Sequence, residues 1–425
     1  MITLLVVVFV LGYMAIAFEH GIGVNKAGSA LITGVLCWSI LALLGPHGAH
    51  LTEPLTHHLG EIAGIVFFLL GAMTIVELIA AHGGFDLITD HIKETRRVRL
   101  LWTIALLTFF LSSVLDNLTT TIVMVTLLRR LLTEHRDRVY FASVVVLAAN
   151  AGGAWSPIGD VTTTMLWIGG QISAAGIIGS TFLPSVVSAV VPIVVLSYRF
   201  DGRITAAASP VLPNGTGPNT KHQRSMLLLG LGALLFVPLF KTITHLPPYM
   251  GMLISLGILW VVTAFMHKEK DAHQRKALSI TSALERADAP SILFFLGILL
   301  SVAALQEAGV LASSATWITQ QIGDHSVIVF LFGLLSAVID NVPLVASVQN
   351  MFSLTEFPMD HSFWQFLAYC AGTGGRALII GSAAGVAAMG IESITFFWYL
   401  KRITGYALLG YAVGALAFLL QDAIL

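Results

Sequence analysis

Ser112-Ser113-Val114-Leu115-Asp116-Asn117-Leu118-Thr119-Thr120-Thr121 lies at the middle of an apolar region, 100–132, that is basic at both ends. Lys93, Arg96, Arg97 and Arg99 precede the region; Arg129, Arg130, Arg136 and Arg138 follow it. Basic loops stay on the cytoplasmic side of a membrane, so both ends belong on that side. Each arm has about 15 residues, or roughly 22 Å of helix, against a hydrocarbon core of about 30 Å. A re-entrant hairpin with Asp116-Asn117 at its tip satisfies both facts; two short spans with a buried turn are the alternative. Region 326–354 is the mirror case, broken at Asp340-Asn341 and flanked by Asp324, His325, Glu356, Asp360 and His361 without Lys or Arg. It is expected to enter from the outer face.

The composition around these two regions requires a membrane. Of 425 residues, 56% are hydrophobic and 11% charged, with mean hydropathy +0.86. A soluble domain carries about 25% charged residues, so a soluble enzyme, a disulfide scaffold and a disordered chain are excluded. The apolar runs are continuous rather than alternating, which argues against a porin-type barrel. A net charge of −1 gives no footprint for nucleic acid. Cys37 and Cys370 read as buried small hydrophobes. Met1 to Phe18 lacks a basic lead and a small-residue cleavage site, so it is expected to be a retained span.

Expected spans are 2–18, 27–45, 62–81, 139–170, 180–198, 226–243, 249–266, 290–309, 362–388 and 403–422. Lys26, Arg199, Arg203, Lys221, Arg224, the 267–289 loop (Lys268, Lys270, Arg275, Lys276, Arg286), Lys401 and Arg402 mark inner loops. The 46–61 loop, with His47, His50, His57 and His58 but no Lys or Arg, belongs outside. Both termini come out external. Lys241 is the misfit, expected to snorkel at the outer interface. Segment 391–402 reads as a short interfacial helix.

The same order, three spans, a hairpin and two spans, occurs twice in opposite orientation. Ile65 to Leu69 echoes Ile292 to Leu296; Leu115-Asp116-Asn117 echoes Ile339-Asp340-Asn341. Gly152-Gly153 with Gly159 echoes Gly374-Gly375 with Gly381, and Gly176-Ile177 with Thr181-Phe182 echoes Gly390-Ile391 with Thr395-Phe396. The expected fold is an all-α polytopic membrane protein, an inverted-topology repeat with two re-entrant hairpins and two broken transmembrane helices. Residues 1–200 form the first repeat (scaffold 2–81, transport elements 100–198). Residues 201–225 form a cytoplasmic linker. Residues 226–425 form the second repeat (scaffold 226–309, transport elements 326–422).

Chemistry concentrates at the interruptions. Asn150-Ala151-Gly152-Gly153-Ala154-Trp155-Ser156-Pro157-Ile158-Gly159-Asp160-Val161-Thr162 should unwind at its Gly-Gly and Ser-Pro. Ala371 to Arg376 is a second expected break. Unwound backbone at membrane depth must line a cavity or be buried in protein, and it frees carbonyls to coordinate a cation. Asp116, Asp160 and Asp340 each cost at least about 2.5–3.5 kcal/mol at such depth, and intramembrane acids mark ion or proton routes. Candidate ion and proton ligands are Asp116, Asn117, Thr119, Asn150, Ser156, Asp160, Thr162, Ser336, Asp340 and Asn341. Asp116 and Asp340 also suit helix capping. Arg376 reads as a charge partner for one carboxylate, with anion binding as the alternative. Glu77, Glu307 and Glu392 lie nearer span ends, where Glu77 and Glu392 suit interface positions.

These motifs resemble those of the NhaD-type sodium/proton antiporters of the ion transporter superfamily. Leu115 to Thr120, Asn150 with Ser156 to Thr162, and Ser336 with Asp340-Asn341 carry the resemblance, which extends from about 62 to 420. It implies a homodimer in a bacterial cytoplasmic membrane, with a scaffold part and a mobile transport part. It also implies ion translocation through Asp116, Asn150, Asp160, Thr162, Ser336, Asp340 and Asn341. The expected activity is exchange of Na⁺ or Li⁺ for H⁺ without a cofactor. A carboxylate in a partly dehydrated cavity is costly as an anion, so a proton and a cation held by Asp116, Asn150, Asp160 and Thr162 compete for it. The alternatives are a sodium-coupled anion or dicarboxylate symporter of the same superfamily and, more remotely, an intramembrane aspartyl protease.

Overall fold

In a computed structural model of the chain, residues 1–17, 23–45, 51–85, 87, 94–200, 202–204, 220–268, 272–338 and 340–424 are described. His47, His50, Lys93, Lys270, Ile339 and linker positions 201 and 205–219 lie outside the described residues. By length and composition, eight described helices can cross a membrane, and two sharply bent pairs bring the number to ten. Among the described residues the extended pairing is an isolated bridge, Arg96 to Arg203.

The first hairpin consists of Arg97–Leu115 and Asn117–Leu131. Its first arm has 19 residues, about 28 Å, longer than the expected arm and long enough to cross alone. Its ends nevertheless meet. Arg97 pairs with Asp137 at 2.9 Å and Glu134 at 3.4 Å, both just beyond the second arm. The chain turns at Asp116, with φ 76° and ψ 159°, a region that essentially only glycine occupies without strain. The second hairpin has shorter arms, His325–Leu335 and Asn341–Met351. Its ends also meet, with the His325 ring 6.1 Å from Phe352 and 5.1 Å from Phe357.

Two broken helices fix the hairpins in opposite directions. The first runs His135–Gly153, then Val161–Ile168. It starts at the arginine-rich base of the first hairpin and ends at the base of the second, where Ser173 N–H donates to Asp360 at 2.7 Å. The second runs Ser362–Gly374, a short 3₁₀ turn, then Ala383–Glu392. It starts beside the second hairpin's base and ends at the first. There the buried Glu392 accepts from Arg129 Nε at 2.7 Å and Arg138 Nε at 3.0 Å. The first broken helix is buried without interruption from Phe141 to Gly153. Its Val, Ala and Gly residues let neighbouring backbones approach closely.

The two halves pack in the same way. A Cβ on Gly152 would meet the Phe109 carbonyl, and one on Gly374 would meet the Gly333 carbonyl. Ser112 Oγ donates to Ala149 O at 2.7 Å; Ser336 Oγ donates to Ala371 O at 3.3 Å. Outside this core, Lys26–Leu44 crosses Ala289–Glu307 at Gly34, whose Cβ would lie 2.7 Å from the Gly297 carbonyl. Trp38 Nε1 donates to Leu300 O beside that crossing. Ala174–Ser197 packs along Thr404–Asp422.

Several elements depart from expectation. The third span begins at Thr52, as part of a 30-residue helix. The linker ends early, because helix Thr220–Thr244 already includes 220–225. An unassigned helix, Val310–Ile322, bends 116° into the second hairpin. Its Ser, Thr and Gln residues hide it from a hydropathy reading, and only Leu311 and Ala315 are buried. Two short helices, Ala272–Ala277 and Ile280–Arg286, occupy the 267–289 loop. Phe396–Arg402 forms a short helix bent 113° from the one before it, within the expected 391–402 segment.

Candidate ion-binding site

Each hairpin tip reaches the break of a helix. Asn117 Nδ2 donates to Asp160 Oδ2 at 2.6 Å and to Asn150 Oδ1 at 3.2 Å. Asn150 in turn donates to Val146 O at 2.9 Å and to Ser382 Oγ, from the second break, at 3.2 Å. Asp160 begins the helix Val161–Ile168. Its Oδ1 accepts from the Thr162 N–H at 2.9 Å and the Thr162 hydroxyl at 2.8 Å. Asp116 caps the second hairpin arm in the same manner, accepting from the Thr119 N–H and hydroxyl, each at 2.8 Å. Asn150 and Asp160 are fully or almost fully buried.

Asp116, Asn117, Asp160, Asp340 and Asn341 line one small cavity of about 40 Å³, together with Phe68, Phe295 and Lys26. The two Asp-Asn turns therefore meet at a shared space, which suits a small ion and water. A larger cavity of about 650 Å³ lies one helical turn away, toward the second hairpin's base. Thr164 lines the small cavity and Met165 the large one; Val342 and Ala346 divide in the same way.

The electrostatics are uneven. Asp340 Oδ2 lies 4.0 Å from Lys26 Nζ, and its N–H donates to the Tyr13 hydroxyl at 2.8 Å. Among the described residues neither Asp116 nor Asp160 has an ion-pair partner. Both sit at the N-terminus of a helix, where the dipole favours negative charge. The helices that end at these turns leave carbonyls unpaired.

Some expected members stand apart. Ser156 accepts from the Ile158 N–H within the turn, and Ser336 donates to Gly333 O and Ala371 O. Both hydroxyls serve the backbone. Among the described residues Arg376 partners no carboxylate. Its buried guanidinium donates to Leu147 O at 2.6 Å, to Ser188 O at 3.0 Å and to the Ser188 hydroxyl. It satisfies carbonyls where broken helices pack, and Asp340 takes Lys26 instead. Lys241 does not snorkel: it donates to Trp167 O at 2.6 Å, at the end of Val161–Ile168. The cation favours that C-terminal position. Lys26 is the residue that the sequence did not identify as part of the site.

The family model described as citrate transporter, CitMHS, matches residues 1–372. Sodium/proton antiporter 2 of Arabidopsis thaliana is 46% identical, covering 97% of this chain and 97% of its own length. Sodium/proton antiporter 1 of the same plant is 48% identical over 97% of this chain and 71% of its own length. The Na(+)/H(+) antiporter NhaD of Alkalimonas amylolytica is 30% identical over 93% of this chain and 86% of its own. Among solved structures, the YdaH transporter of Alcanivorax borkumensis shares the fold at TM-score 0.55 and 14% identity, covering 94% of this chain and 97% of that one. These relatives are transporters, which removes the intramembrane protease alternative. The chain is a multi-pass membrane transporter of the CitMHS family and belongs with its NhaD-type sodium/proton antiporters.

Proposed function

We propose that the chain exchanges Na⁺ or Li⁺ for H⁺ by alternating access, with Asp160 and Asp116 as the groups for which cation and proton compete. The observation that carries this reading is two carboxylates on one cavity, Asp160 buried and Asp116 half-buried, with no ion-pair partner among the described residues. An anion at such depth costs at least about 2.5–3.5 kcal/mol. A proton neutralises it, and so does an alkali ion coordinated by the carboxylates, neutral oxygens and freed carbonyls. Asn117, Asn150, Thr119 and Thr162 hold the carboxylates in place through the bonds described above. Asn341 lines the cavity, while Ser336 acts through the backbone of the second tip.

In this reading the hairpins and broken helices form the moving transport part, and 2–81 and 226–309 form the scaffold, in two repeats inverted across the bilayer around a linker that ends before Thr220. The arginine-rich base faces the cytoplasm, so the larger cavity gives access from the outer side. The chain works as a homodimer in a bacterial cytoplasmic membrane.

Anion symport is the second reading, favoured by the family's description. Three carboxylates around a cavity of about 40 Å³ disfavour a bulky polyanion. The test is a Na⁺ pulse on proteoliposomes with an internal pH dye, beside uptake of labelled citrate. Proton movement without citrate uptake supports exchange; citrate uptake without proton movement overturns it.

A further inference from the structure

The two halves of the site are built on one backbone plan but carry different chemistry. Asp160 and Ser382 occupy equivalent positions, each capping the helix after its break, with φ/ψ of −145°/147° and −146°/150°. A Cβ on Gly159, just before Asp160, would meet the Ser112 carbonyl at 2.7 Å; one on Gly381, just before Ser382, would meet the Ala337 carbonyl. In the same register Asp116 matches Asp340, Asn117 matches Asn341, and Asn150 matches Gly372. The first half therefore supplies two carboxylates and two amides. The second supplies one carboxylate, one amide and a hydroxyl.

The remaining carboxylate of the second half already faces a cation of the protein. Lys26 starts the helix Lys26–Leu44, and its ammonium lies 4.0 Å from Asp340 Oδ2 and 4.5 Å above the Phe294 ring. Both side chains line the shared cavity. We propose that the Lys26 ammonium is a tethered cation in the second half-site, so that the chain binds one alkali ion and not two. This rests on the exchange reading and adds the number of ions bound. Asp340 then contributes a fixed, neutralised charge, and its link to Lys26 and Tyr13 holds the second tip against the scaffold. Replacing Lys26 by a neutral residue opens Asp340, Asn341 and Ser382 to a second alkali ion.

The experiment is equilibrium binding of radioactive Na⁺ to the purified full chain, at alkaline pH, counted per chain. The expected result is one Na⁺ for the wild type and for Lys26→Arg. Two are expected for Lys26→Gln and for Lys26→Met, which retains the apolar stem over Phe294. Adding Asp340→Asn to either neutral variant returns the number to one. Two ions in the wild type, one ion of unchanged affinity in both neutral variants, or a second ion that survives Asp340→Asn each overturn the inference. A wild type that binds no Na⁺ overturns the exchange reading itself, which keeps the two failures distinct. The wild-type count decides the matter even where a neutral variant does not fold.

Discussion

Asp116→Gly should separate folding from function. Asp116 stands at φ 76° and ψ 159°, a conformation that costs a side-chain-bearing residue about 1–3 kcal/mol. Glycine removes that strain. It also removes the cap on Thr119, but replacing a capping side chain with glycine costs only a few tenths of a kcal/mol. The half-buried carboxylate disappears as well, together with the desolvation cost it carries. The net expectation is a chain as stable as the wild type or more stable, by about 1–2 kcal/mol once the cap loss is set against the strain. Asp116→Ala keeps the strain and loses the cap, so it should be less stable than Asp116→Gly by at least about 1 kcal/mol. Thermal unfolding of the three proteins in one detergent gives the order, and a Na⁺ pulse on proteoliposomes gives the activity. Asp116→Gly should fold well and exchange nothing. Full exchange by that variant would refute a role for the carboxylate, and a lower stability than Asp116→Ala would refute the strain.

Glu392→Gln should loosen the end of Ala383–Glu392 from the first hairpin, because Arg129 and Arg138 lose their buried counter-charge. A fully buried pair costs about 3–5 kcal/mol to break; both arginines are partly solvated, so a loss of about 1–3 kcal/mol is expected in a melt. Arg376→Ala strands the Ser188 carbonyl, which has no helical donor because the residue four positions on is Pro192, at a cost of about 1–3 kcal/mol for an unpaired buried group. Adding Asp340→Asn should not restore that stability, whereas a rescue would make Arg376 the carboxylate's partner after all. Single cysteines in a background lacking Cys37 and Cys370 report the inversion. Glu134→Cys should be labelled from the cytoplasmic side and Glu356→Cys from the outer side, and labelling of both from one side contradicts opposed hairpins.

The hairpins were legible because the signal for them is global. Arg97, Arg99, Arg129 and Arg138 predict one membrane side for both ends whatever lies between them, and Asp116 and Asp340 are too polar to be ordinary core. Asn117 and Asp160 were each legible as candidate ligands, but their hydrogen bond, between residues 43 apart in sequence, is seen only in the structure. What stayed hidden depends on distance in sequence. Lys26 reads from the sequence as a topology marker, and nothing local ties it to Asp340. Arg129 and Arg138 read in the same way, and their pairing with Glu392 spans 263 and 254 residues of sequence. Arg376 was given a carboxylate because carbonyl acceptors leave no trace in side-chain chemistry. Lys241 was placed at an interface for the same reason, although a helix C-terminus at Trp167 holds it. Val310–Ile322 escaped because a helix with few apolar residues looks like a loop to a hydropathy window.

The central claim is that one set of carboxylates holds either protons or an alkali ion. Proton release on ion binding tests it most directly. Na⁺ is added to the purified chain in weakly buffered solution near neutral pH, and a soluble dye follows the protons. The account predicts saturable release that Li⁺ reproduces and that Asp160→Asn abolishes in a folded protein. Na⁺ binding with no proton released, or release undiminished in Asp160→Asn, would contradict it.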